Sequence, residues 1–242
     1  MQFASLGSGS AGNSFVVKQN KSLLMVDCGF AIQDVISRLD RLNETPENIT
    51  GILLTNEHED HVKGAFKLAN KFKSPIWLSY GTFKMCEKHM IKSYEIDFHM
   101  IDSHNAFEIE DFTIQPFPVP HDAREPTQFT LSDGKRKLGI LTDTGTSTPH
   151  IENMLQQLDA HAPAADQQGD RRRLGQQARE AQQAGEGGKA GGGVRVHLDP
   201  ASVRGGKSDP RRRFVYHDHR APRPPEALLP DDPTFSPPRA LF

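Results

Sequence analysis

A layered α/β sandwich is the fold class this sequence predicts, and three observations predict it. Short apolar runs bounded by turn residues recur from Phe3 to Thr142. Stretches with apolar residues at helical spacing are inserted between these runs without alternating one for one, so strands outnumber helices. The pattern occupies about residues 1–160, enough for one sizeable domain. Such an order suits sheets covered by helices better than a simple alternating parallel sheet.

Taken in order, Phe3–Leu6 reads as a first strand, followed by the turn-rich 7–14 stretch. Phe15–Val17 and Leu23–Val26 form the next two strands, with Gln19-Asn20-Lys21 turning between them. The Gly/Ser stretch has no terminal Lys-Ser/Thr and enters a strand, not a helix, which argues against a phosphate cradle. After Asp27-Cys28-Gly29, the residues Ile32, Val35, Ile36, Leu39 and Leu42 mark an amphipathic helix that Asn43–Pro46 stops. The run 51–54 is a buried strand, and Val62, Ala65, Phe66, Ala69 and Phe72 mark a second helix with lysines on its wet face. Ile76–Ser79 is a strand and Thr82–Met90 a helix. Strands follow at Phe98–Ile101, Ala106–Ile109 and Phe112–Phe117, where Pro116, Pro118 and Pro120 extend the chain towards His121. Phe129 and Leu131 alternate inward, Asp133-Gly134 turns, and Leu138–Thr142 returns to Asp143. A helix carries Ile151, Met154, Leu155 and Leu158 on one face.

Near residue 160 the composition changes. Residues 1–160 hold 11 Lys and 4 Arg against 21 acids, a net −6, whereas 161–242 hold 2 Lys and 12 Arg against 10 acids, a net +4. Gly, Pro, Ala and Arg make up 43 of those last 82 residues, and neither Ile nor Met occurs after Met154. A segment so poor in apolar residues cannot offset its ordering entropy, so 161–242 is expected to be a disordered tail, with a weak strand at Val194–Leu198. The break also motivates the hypothesis of an out-of-frame or foreign continuation joined near 160, which resequencing would test. Cys28 and Cys86 are expected to be free thiols in a reducing cytoplasm. The first residues lack the basic and apolar regions of a signal peptide, and no run approaches the ~20 apolar residues of a membrane span.

Four strand ends carry groups of the metal-ligating type: Asp27, the 56–61 stretch, His121 and Asp143. His58, Asp60 and His61 combine imidazole nitrogens with a hard oxygen inside four residues, a mixture that suits zinc or a similar divalent ion. His89, His99, His104 and His150 lie outside such contexts and read as surface residues.

These residues resemble the metallo-β-lactamase-fold hydrolases, whose signature is Thr-His-x-His-x-Asp-His after a strand. More narrowly, five runs resemble the YycJ/WalJ-like branch: Phe3–Ser14, Asp27–Phe30, His58–Gly64, Pro120–Pro126 and Leu141–Gly145. The resemblance covers residues 1 to about 160. It implies an αββα sandwich with a site for one or two ions, Zn2+ or Mn2+. Asn56, His58 and His121 would fall at the first ion and Asp60 and His61 at the second. Asp143 would bridge both, and Asp27 would orient a ligand histidine from behind. The resemblance further implies a metal-activated water, with Asp60 as its catalytic partner, and a 5′-3′ exonuclease-type attack on single-stranded DNA or RNA.

Two departures stand out. Asn56 occupies a position where the family usually has His, and a carboxamide oxygen is a poorer zinc ligand. Past Ala160 the further strands and the last ligand histidine of the pattern are missing, so the fold is expected to be truncated; His197, His217 and His219 sit in the wrong surroundings to replace it. Three alternatives follow. One is a thioester or lactone hydrolase of the same fold. Another is an inactive fragment. The third is nucleic-acid binding through Arg171–Arg173 and Arg211–Arg213.

Overall fold

Two β-sheets pack face to face in the computed structural model, which describes residues 1–163 and 196–198. The first sheet contains β1 (Gln2–Gly7), β2 (Ser14–Gln19), β3 (Ser22–Val26), β4 (Ile49–Leu53), β5 (Ile76–Ser79) and β6 (Phe98–Ile101), with β12 (Val196–Leu198) beside β1. The second runs in the order β11 (Ala160–Pro163), β10 (Lys137–Leu141), β9 (Thr127–Ser132), β8 (Phe112–Pro118) and β7 (Phe107–Ile109).

Strand periodicity builds the layers. In β3, Leu24 and Val26 face the second sheet, where they meet Phe112, Ile114, Phe129, Leu131, Leu138 and Ile140. Leu23 and Met25 point the other way, into a cluster with Val35 and Leu39 of α1 (Ile32–Asp40) and Leu68 and Ala69 of α3 (Ala65–Phe72). Behind the second sheet, Ile151 of α5 (Pro149–Met154) and Leu155 pack on Phe117 and Leu141. The layers are therefore helix, sheet, sheet, helix. Each fully buried Phe or Leu contributes about 1.5–3 kcal/mol of transfer free energy.

Most predicted elements are present, and the differences have local causes. The helix expected over 62–72 is two pieces, α2 (Glu59–Val62) and α3, interrupted at Lys63-Gly64. A Cβ at Gly64 would overlap the Phe30 carbonyl, so the break lets this segment press against the Cys28–Phe30 stretch that follows β3. The helix expected at Thr82–Met90 starts earlier, as α4 (Tyr80–Cys86) capped by the Ser79 hydroxyl, and tightens into a 3-10 turn at Glu87–His89. β11 is a strand where the helical pattern had been expected to give way to a tail. The weak strand expected at Val194–Leu198 is seen as β12, and the remaining expectations for 164–195 and 199–242 lie outside the described residues.

Strand direction creates the site. β1, β3 and β4 run parallel to one another in the first sheet, and β8 and β10 both run antiparallel to β9 in the second. The 7–14 loop and the segments after β3, β4, β8 and β10 consequently gather at one mouth of the sandwich.

Candidate metal centre

Asp27 follows β3 with a left-handed backbone (φ 58°), a conformation more accessible to Asp than to most residues. That turn sends its carboxylate back into the fold, where it is fully buried. The burial is compensated by three contacts: Thr55 donates its N–H (2.9 Å) and its hydroxyl (2.8 Å), and His61 Nδ1 lies 2.7 Å away. Holding Nδ1 in this way aims Nε2 of His61 outward. That nitrogen lies 2.7 Å from Asp143 Oδ2 and 3.5 Å from Asp60 Oδ2.

A second group stands beside it. His121 Nε2 lies 3.2 Å from His58 Nδ1, and the two rings meet edge to face. Asp143 Oδ2 is 3.9 Å from His121 Nε2, so this carboxylate stands between the two histidine groups. The structure thus brings together all the residues singled out after the four strands.

Asn56 is oriented differently from a ligand. Its Oδ1 accepts the His58 N–H at 2.9 Å, while its Nδ2 donates to Thr55 Oγ1 (3.2 Å) and Asp143 Oδ2 (3.3 Å). The amide shapes the turn and faces the cluster with its NH2 group.

Two residues were missed from sequence. Asn13 is buried at the end of the Gly/Ser loop and donates from Nδ2 to Asp60 Oδ2 (3.0 Å), with His61 Nε2 at 3.1 Å. Its Oδ1 accepts from Ser8 Oγ and Gly9 N, which ties the loop to the cluster. Gln128, buried in β9, pairs with both the N–H and hydroxyl of Thr142 and so fixes the approach to Asp143. An amide reaching a site from a remote strand has no spacing signature, although Asn13 at the end of a glycine turn was a visible hint.

The electrostatics are those of a cation site. Burial on its own would favour a neutral His61; the charge of Asp27 and the hydrogen bonds to Asp143, Asp27 and Asp60 outweigh it and push the pKa up to about 12. The His61 hydrogen bond holds the Asp60 carboxyl below its usual range, and Asp143 is lowered likewise, against the effect of its own burial. Among the described residues no Lys or Arg pairs with Asp27, Asp60 or Asp143. Three carboxylates whose only ionisable partners of opposite sign are imidazoles fit a divalent cation. Cys28, adjacent to Asp27, is fully buried, and burial together with the Asp27 charge pushes its thiol up to about 12. The other histidines stand apart: His99 stacks on Trp77, and His104 and His150 are exposed.

Comparison with known proteins bears on the fold and the family. The chain is 30% identical to the exodeoxyribonuclease WalJ of Streptococcus pneumoniae over 162 residues, covering 66% of this chain and 60% of that protein. It therefore spans about 60% of the length of this relative. Among solved structures, the metallo-β-lactamase fold protein YhfI from Bacillus subtilis superposes with a TM-score of 0.56 at 19% identity, covering 66% of this chain and 68% of that one. The Zn(2+)-bound PqqB from Methylobacterium extorquens gives a TM-score of 0.57 at 17% identity, covering 72% and 77%. The shared fold is the metallo-β-lactamase sandwich. The profile of the beta-lactamase superfamily domain matches residues 23–183, which is well over half of the sequence. This protein belongs to the beta-lactamase superfamily.

Proposed function

We propose that the chain is a metal-dependent phosphodiesterase of the 5′-3′ exonuclease type, acting on single-stranded DNA or RNA in the cytoplasm. The observation that carries this reading is the paired cluster at the mouth, His58 with His121 and His61 with Asp60, with Asp143 between them. The likeness to WalJ supports the substrate class. Zn2+ or Mn2+, as one or two ions held by His58, Asp60, His61, His121 and Asp143, would supply a Lewis acid and lower the pKa of water towards ~7.

The chain's own residues divide the remaining work. Asp27 and Thr55 orient His61 from behind. Asp60 keeps its charge at neutral pH and leaves about a third of its side chain exposed, so it can accept the proton of an attacking water at the mouth. Asn13 holds that carboxylate at the required angle. Among the described residues, the α3 lysines face solvent, and Lys63 and Lys73 pair with Glu59 and Glu95.

The test is incubation of the full chain with 5′-labelled single-stranded DNA and RNA, and in parallel with a panel of thioesters and lactones, in added Mn2+ or Zn2+. Shortening of the nucleic acid that EDTA abolishes, and that Asp60→Asn slows by roughly 10²–10⁴-fold, is expected for a lost proton acceptor. Turnover confined to the thioester or lactone panel would replace the substrate class, and no turnover of any substrate would sink the reading.

A further inference from the structure

We propose that Tyr80 is a stacking platform for a base of single-stranded nucleic acid, with the Arg124 guanidinium beside it taking a backbone phosphate. This rests on the nucleic-acid reading above and gives that substrate a binding site outside the metal cluster.

A solitary exposed aromatic is common on protein surfaces and means little. Tyr80 is set apart by its place. It is 59% exposed, more than Met85, Ile91 or Met100, the other large apolar side chains exposed among the described residues. It opens α4 directly after β5, and β5 runs parallel to β4. The helix therefore starts at the end of the sheet from which the 55–61 stretch emerges. Lys84, one turn further on, holds its Nζ 5.7 Å from the Tyr80 ring centroid.

Direct contacts tie the start of α4 to the metal cluster. Glu57, the residue before His58, accepts the Arg124 N–H at 2.7 Å with one carboxylate oxygen, and the Thr82 hydroxyl reaches the other at 3.5 Å. Glu125 accepts the Gly81 N–H at 2.6 Å. Gly81 is packed so closely that a Cβ there would lie 2.5 Å from Glu125 Cβ and 3.0 Å from Arg124 Cγ. The stem of Arg124, three residues after His121, thus lies against the backbone next to Tyr80. Tyr80 and Arg124 are neighbours on one rim, joined to both His58 and His121.

The chemistry of the two side chains names the ligand. Arg124 is exposed, and among the described residues no acid pairs with its guanidinium, since Glu57 and Glu125 are committed to backbone N–H groups. An unpaired guanidinium suits a phosphate, and a wet phenol ring offers a face on which any base can stack. In a duplex the base faces are covered by their neighbours, so this rim favours an unpaired strand without preferring one base over another. Lys84 is held by Glu87 at 2.8 Å and adds positive charge at the edge of the platform.

Binding provides the test, independently of turnover. The full chain in Mn2+ is titrated against a fluorescein-labelled phosphorothioate oligothymidylate, which resists cleavage, and anisotropy is read over a range of salt. A strand of equal length with abasic spacers is the control. The wild type should hold the base-bearing strand more tightly than the spacer strand. Tyr80→Ala should weaken the base-bearing strand by about 5- to 100-fold, the loss of one stack, and should bind both strands alike. Tyr80→Trp should restore the preference. Arg124→Gln should keep the preference for bases while the slope of log affinity against log salt becomes shallower by about 0.7, one phosphate contact fewer. Both side chains are exposed, so these variants should keep the wild-type melting temperature. A wild type indifferent to bases, or a Tyr80→Ala protein with wild-type affinity, would overturn the platform, and shortening of DNA by the same protein would leave the phosphodiesterase reading intact. Tyr80-dependent binding by a chain that turns over no substrate would keep the platform and sink the hydrolase reading. A wild type that neither binds nor cleaves nucleic acid would overturn both.

Discussion

Asn13 shows how a single side chain can connect a loop to a candidate metal centre. Its NH2 group touches Asp60 and His61, and its oxygen gathers Ser8 and Gly9. Asn13→Ala removes the donor that angles Asp60 and frees the glycine turn in one step. Because it acts through Asp60 and not on the ion, the expected loss is about 10–100-fold in affinity for the ion bound by Asp60 and His61, measured by chelator competition. An unchanged affinity would mean that Asp60 is held by its backbone alone. At this scale the sequence was clear where donors cluster, as at His58, Asp60 and His61, and silent where partners are remote. Asn13 and Asp60 are 47 positions apart in sequence, and nothing in local spacing links the two.

β11 illustrates the same limit for an element. The Ala160–Pro163 run has weak strand propensity, and composition placed the end of order just at its start. It is a strand because β10 offers an open edge: Leu138 faces Ala160 and Ile140 faces Ala162, and both alanines enter the core between the sheets. The pairing also carries a histidine inward. His161 is partly exposed as a residue, but its Nε2 is buried without a hydrogen-bond partner among the described residues, and burial pushes its pKa down to about 4. The unfolded chain takes up this proton near pH 6.5 and the folded chain only near 4. Stability present above pH 6.5 is therefore lost as the pH falls towards 4, by on the order of 2 kcal/mol. Thermal melts of wild type and His161→Leu between pH 7 and 4 check this, since the variant should lose that part of the acid sensitivity. Parallel slopes for the two proteins would remove His161 as its source.

For the molecule as a whole, the centre links the two sheets. Asp27, His58 and His61 come from the ends of first-sheet strands and the helix that follows, whereas His121 and Asp143 come from the second sheet. An ion shared between them would bind the folded sandwich and not the unfolded chain. Free zinc at about 100 times its dissociation constant should add about 2.7 kcal/mol, raising the melting temperature by on the order of 5–10 °C. Scanning calorimetry with zinc and then excess EDTA checks the rise and its reversal. A melting temperature indifferent to zinc would argue that the two sheets do not share an ion.

The sequence by itself determined the strand and helix periods, the order of the metal-type residues and, through its motifs, the family. Those properties are written in local spacing, which a chain displays without being folded. Only the tertiary structure decided that β1, β3, β4, β8 and β10 release their ends at one mouth, because strand direction depends on pairing partners. It also turned the Asn56 oxygen onto the His58 backbone and set the Asp122 carboxylate beside the two histidines. A side chain's hydrogen-bond partner is fixed by the packing around it, and no residue pattern states that in advance.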